Sequence, residues 1–205
     1  MKQESQGGRR AGAGLVLVVC LCALLSGCRA WEDRARTGLR STDSLERRQT
    51  LEKMKSDAPL ALREDVEQVL GTDVEPANRA LAADVLGVIG MRESLNQLRL
   101  YAVSDSSWLV RVRALTALTR IQGWRSSGDL QVALEKDPDA TVRVEAVNLA
   151  AERLQSKSAA ELIVRGLKDR DSAVRVAAYQ KLVRLTGKNI PLADYEKWLK
   201  AVSEM

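Results

Sequence analysis

From about Ser44 onward, apolar side chains return every three or four residues and polar ones fill the places between. In "DPDATVRVEAVNLAAERL", Asp137 to Leu154, the positions Val142, Ala146, Leu149 and Ala150 share one side of a helix. Pro138 and Asp139 mark its start, because Pro suits a first helical turn and an Asp carboxylate caps free amides. A shorter helix is expected near Ser158 to Lys168, where Ala159, Leu162, Ile163 and Leu167 form a second stripe. The basic unit predicted is therefore a pair of helices.

That unit recurs. Asp73, Asp105, Asp137 and Asp169 stand 32 residues apart, and Arg79, Arg111, Arg143 and Arg175 follow at the same spacing. Val110, Val142 and Val174 precede the last three Arg, and Ala82, Ala114, Ala146 and Ala178 follow all four. Upstream, Val66, Leu98, Leu130 and Leu162 keep the period. The first unit departs most, with Asn78 where the others carry Val. A helix pair cannot bury its apolar face alone, and a fixed period of this length lets each pair cover the next. The expected fold is all-α: an α-solenoid of about four stacked helix pairs with terminal capping helices, occupying residues 44–205.

Composition narrows the core and the chemistry. Apolar residues make up 45% of the chain but aromatic ones only 3%, with no Phe and no His, so burial rests on Leu, Val, Ala and Ile. Without His there is no imidazole to pair with a nucleophile or to bind a metal, and no Gly-rich phosphate loop is present. Acidic pairs such as Glu64 and Asp65, or Asp169 and Asp171, fall in expected turns or on solvated faces. The sequence points to no enzyme, no cofactor and no small-molecule substrate.

The repeated Asp, with Val-Arg five and six residues on and then Ala, resembles the HEAT repeat, and the short period is most similar to the HEAT-like repeats of the phycobilin lyase group. The Trp, Gly and Tyr positions of tetratricopeptide repeats and the His of ankyrin repeats are missing. "LTGKN" at Leu185 to Asn189, followed by a helix holding Trp198, resembles the ending of many bacterial HEAT-repeat proteins. The resemblance implies a ladder in which Asp73, Asp105, Asp137 and Asp169 meet Arg79, Arg111, Arg143 and Arg175 of the same or the adjacent unit. The alternative use of these Arg residues is an anion-binding row. An enzyme or enzyme accessory of the phycobilin lyase type is the alternative function, although repeats of this kind serve many non-enzymes.

The first residues belong to a different part. A basic start, "MKQESQGGRR", precedes an apolar run from Ala11 to Gly27, which is short for a membrane-spanning helix and suits a signal peptide over residues 1–27. "LSGC" at Leu25 to Cys28 resembles the bacterial lipobox, which implies lipidation of Cys28 and cleavage before it. Cys20 and Cys22 leave with the signal, so the mature chain holds no cysteine pair. Multiple acyl chains give stable membrane attachment. Residues 28–43, mixed in charge, are expected to be a tether. Arg29 in place of Asp after the lipidated Cys favours the outer over the inner membrane of a bacterial envelope.

Removing residues 1–27 takes three basic and one acidic side chain, so the formal charge falls from +5 to +3. The polar face of the second helices, the expected concave side, carries Arg113, Thr116 and Arg120, then Glu145, Asn148 and Glu152, then Ala177, Gln180 and Arg184. Signs alternate along this row, which suits a protein partner and not a phosphate backbone. Envelope proteins are the expected partners, with Trp108 and Trp124 as candidate anchors.

Overall fold

The computed structural model describes residues 29–205 apart from 57, 155 and 156, and no strand occurs among them. Cys28 and residues 1–27, the expected signal peptide, lie outside the described residues. Helix α1 covers residues 29–39. It is followed by α2 (Ser44–Met54), α3 (Arg63–Thr72), α4 (Pro76–Ile89), α5 (Leu95–Ser104) and α6 (Trp108–Gln122). The second half holds α7 (Ser127–Lys136), α8 (Ala140–Leu149), α9 (Lys157–Gly166), α10 (Ser172–Thr186) and α11 (Tyr195–Ser203). The chain is an α-solenoid in which α3/α4, α5/α6, α7/α8 and α9/α10 are successive pairs.

Local chemistry sets the helix ends. Asp43, Asp139 and Asp171 cap α2, α8 and α10 by accepting from the backbone N–H two residues on, at 2.9, 2.8 and 2.8 Å. Pro76 opens α4, where its missing N–H costs nothing. Gly90 and Gly187 close α4 and α10 in the left-handed region, with φ of 74° and 67°, a conformation that a Cβ would strain. Helix α8 runs on into a π turn over Ala150–Leu154.

Apolar burial runs the length of the stack in two segments that meet at α6. Ala114, Ala117 and Leu118 close the segment that begins with α1, while Leu115 of the same helix joins the one that reaches α11. Small residues let the second helices approach closely: a Cβ on Gly87 would stand 3.0 Å from both Cα and Cβ of Ala117. Pairs α4–α6 and α8–α10 pack broadly, whereas first helices α5, α7 and α9 touch one another sparingly. The second helices therefore make the more tightly packed layer of the stack.

The tether expected over residues 28–43 is not what the structure has. Residues 29–39 form α1, and Ala35 and Leu39 are buried in the core. Gly38 lies so close to α2 that a Cβ there would overlap the Thr50 hydroxyl. Two Arg side chains of this segment reach α3: Arg36 Nε donates to Asp65 Oδ2 at 3.2 Å and Arg40 Nε to Oδ1 at 2.7 Å. The charged residues that look like a solvated tether are thus partly an inter-helix clamp. Together α1 and α2 form a fifth pair at the start of the stack.

Candidate functional site

The repeated Arg and Asp residues form a continuous ladder along the turns between first and second helices. The guanidinium groups of Arg47, Arg79, Arg111 and Arg143 each reach forward 26 residues to the Asp of the following unit with Nε and Nη2. The distances are 2.6 and 3.1 Å for Arg47–Asp73, and 2.8 and 2.8 Å for Arg79–Asp105. Arg111–Asp137 follows at 2.8 and 2.9 Å, and Arg143–Asp169 at 2.8 and 3.0 Å. Parallel donation of this kind matches the fork of a guanidinium to the two oxygens of a carboxylate. The third nitrogen, Nη1, holds back to the carbonyl six residues upstream: Ser41, Asp73, Asp105, Asp137 and Asp169 in turn.

Each Asp carboxylate has a second task. Oδ1 of Asp73, Asp105, Asp137 and Asp169 accepts the backbone N–H two residues on, at 2.8 to 2.9 Å. Burial pushes the carboxyls of Asp73, Asp105 and Asp169 up, but the Arg fork and this N–H outweigh it and hold them below the ordinary carboxylate value. Hydrogen bonding to Asp raises Arg47, Arg79, Arg111 and Arg143 in return. These four Arg side chains are committed to stacking.

Two members of this network are given no role by the sequence. Arg47 stands 32 residues before Arg79, a signal that was present; Ser41, where the other units have Asp, concealed it. Ser41 Oγ still accepts the N–H of Asp43, at 3.1 Å. Asn78, the residue that departs from the Val column, is buried and donates to Ser44 O, Ser44 Oγ and Asp73 Oδ2 at 3.0, 3.1 and 3.0 Å. It ties α4 to the start of α2, and the first unit is adapted to that neighbour.

The mixed row lies along the second-helix layer. Arg113 and Arg120 are exposed on α6, with Thr116 between them bonding its hydroxyl to Val112 O at 2.9 Å. On α8, Asn148 donates to Glu145 at 3.3 Å, and Glu152 just beyond lies 3.7 Å from Lys181 of α10. Gln180 and Arg184 are exposed and Ala177 is half-buried. The structure adds Asp84 of α4, 3.7 Å from Arg113. Burial pushes the Asp84 carboxyl up, against the pull of Arg113, Lys55 and Arg120.

Trp108 is 45% exposed but does not join this row. It opens α6 beside the Asp105 turn, and five residues before Arg113 is roughly 140° around a helix. The Trp124 side chain lies outside what the structure describes. Among the described residues no group of three His, Cys, Asp or Glu converges as a metal site, and no helix is long and apolar enough to cross a membrane.

Residues 128–194 match the family model for HEAT repeats. The match starts in α7 and runs past α10, so it contains the Arg143–Asp169 rung and supports a HEAT-repeat protein. HEAT repeats suggest a helical scaffold for protein interaction, and the same Asp–Arg geometry extends back from the matched segment to Arg47. No curated protein matches the chain.

Proposed function

We propose that this protein is a non-catalytic, lipid-anchored scaffold of the bacterial envelope that binds protein partners through the mixed row of its second helices. The observation that carries the reading is the mixed row itself: Arg113 and Arg120 on α6, then Glu145 on α8 and Glu152 in the turn that follows it, then Arg184 on α10. Alternating charge on a rigid layer sets specificity toward a complementary protein surface, whereas a polyanion needs one sign throughout. The lack of His and of any cysteine beyond Cys28 in the mature chain supports a binding role over a catalytic one. Lipidation at Cys28 would keep the scaffold at a membrane, with the outer membrane favoured by Arg29.

Two measurements test this. Growth with a labelled fatty acid is expected to mark the wild-type chain and not Cys28→Ala; equal marking removes the anchor from the proposal. Glu145→Lys combined with Glu152→Lys is expected to lower the yield of a crosslinked envelope partner while stability changes by about 0.5 kcal/mol or less. Unchanged yield would move the interface off the second-helix row.

A further inference from the structure

Four rungs of the ladder are closed and one is open. Arg175 Nη1 donates to Asp169 O at 2.8 Å and to Arg170 O at 3.0 Å. Arg143 is held in the same way, by Asp137 O at 2.9 Å and Pro138 O at 3.1 Å. The guanidinium of Arg175 is therefore held by the acceptors that position its counterparts. Among the described residues, though, no carboxylate meets its Nε and Nη2. The position 26 residues on is Ala201, buried within α11. Two carboxylates of that region are engaged elsewhere, Glu204 with Lys188 at 2.8 Å and Asp194 with Lys197 at 2.9 Å.

The surface beside this fork is bare as well. Val176 is 46% exposed, while its counterparts Ala80, Val112 and Val144 are buried or packed against the core. Helix α11 packs on α9, and its Trp198 meets Tyr179 edge to face at 6.0 Å. The first-helix side of the last pair is thereby covered, and the Arg175–Val176 edge of α10 is left open.

We infer that this edge is a docking site for an aspartate-bearing turn of another helical protein, gripped by the Arg175 fork as Arg47, Arg79, Arg111 and Arg143 grip their Asp partners. The internal rungs state the chemistry required: a carboxylate whose Oδ1 also accepts its own backbone N–H two residues on. Beside it, an apolar residue would cover Val176. Continuing the stack with a second copy would bring Ser41 to the fork, which offers no carboxylate, so end-to-end stacking of this chain does not close the rung. The Arg175 fork lies roughly 140° around α10 from Gln180 of the second-helix row, and the two surfaces are tested by separate substitutions.

The test uses the full chain, isotope-labelled, with the Arg175 Nε–H resonance as the reporter. The probe is a blocked peptide copying Lys136 to Thr141, the turn that the ladder itself recognises. A saturable shift of Arg175 Nε–H at millimolar peptide is expected, with Arg143 Nε–H unmoved because its carboxylate is already in place. Asp137→Asn in the peptide is expected to weaken binding roughly 10-fold or more, the loss of a charge-assisted bond. The Val176 backbone amide is expected to shift along with Arg175 Nε–H, and Arg175→Gln in the chain is expected to abolish that Val176 shift without lowering the melting temperature. Glu145→Lys with Glu152→Lys is expected to leave it intact. No shift, a shift that survives Asp137→Asn, or an equal shift with sodium chloride at matched ionic strength would overturn the inference. So would self-association of the chain that Arg175→Gln abolishes, because the occupant would then be a second copy.

Discussion

Arg47 Nε lies 2.6 Å from Asp73 Oδ2, so the ladder begins in α2 and not with the first of the four repeated Asp residues. The Asp73 side chain is almost fully enclosed and that of Arg47 nearly so, at 1% and 14% exposure. Removing one member of such a pair leaves a buried charge short of its partner. Arg47→Ala is expected to cost about 3 kcal/mol, read as a lower urea midpoint for one cooperative transition. A melt unchanged by Arg47→Ala would mean that α1 and α2 unfold separately from the rest.

Within the ladder the ranking follows what each Arg meets. Arg143→Ala is expected to cost about 3 kcal/mol or more, since its side chain and that of Asp169 are 4% and 8% exposed. Arg113→Ala, exposed and 3.7 Å from Asp84, is expected to cost about 0.5 kcal/mol or less. Arg175→Ala is expected to fall nearer the second value, because no carboxylate is abandoned. Thermal or urea melts of the three variants give the order directly.

Asn78→Val restores the residue found in the other units, and an argument from repeat consensus expects it to stabilise. The structure predicts the opposite. Valine keeps the volume roughly but withdraws the donor to Asp73 Oδ2 and Ser44 O, and a buried acceptor left short costs about 1 to 3 kcal/mol. A higher melting temperature for Asn78→Val would show that apolar packing at this position outweighs the clip.

These cases mark where the sequence was legible and where it was not. The fold class and the 32-residue unit are written in periodic columns, because stacking forces each unit to repeat the same contacts. The α1 segment, by contrast, has few apolar residues. Ala35 and Leu39 anchor it, and its remaining hold comes from Gly38 lying against Thr50 and from Arg36 and Arg40 closing on Asp65, contacts that need a three-dimensional neighbour to be seen. The direction of each rung, forward to the next unit and not within its own, is likewise invisible in one dimension. So is the separation of Trp108 from the Arg113 row.

Acid is expected to loosen the stack through the ladder carboxylates. Asp73, Asp105 and Asp169 sit below the ordinary value of 3.8 in the folded state, because their bonds to Arg and backbone N–H overcome the effect of burial. A carboxyl depressed on folding contributes stability that is present above its unfolded value and is lost as pH falls through the folded one. The urea midpoint is expected to drop between about pH 5 and about pH 2, with the slope reduced in Asp105→Asn. A slope unaltered by that substitution would place the acid sensitivity outside the ladder.

Asp84 has the opposite sign, and it lies in the row proposed to bind. Burial pushes its carboxyl up; Arg113, Lys55 and Arg120 pull it down by less, and Glu52 adds to the upward push. A carboxyl raised on folding contributes stability below its unfolded value that is lost as pH rises through the folded one, so at neutral pH the ionised Asp84 is a net burden. The Arg113 contact, at 3.7 Å and half open to water on the Arg side, offsets little of this. Asp84→Asn keeps the shape and removes the charge. It is expected to raise the melting temperature at neutral pH, with the gain shrinking as the pH falls through the carboxylate range. A lower melting temperature at neutral pH would mean that the Arg113 pair outweighs burial. If the row is the interface, the same substitution is expected to weaken capture of the partner while stabilising the free protein, because the carboxylate is then held at a cost in stability for the charge it presents between Arg113 and Arg120.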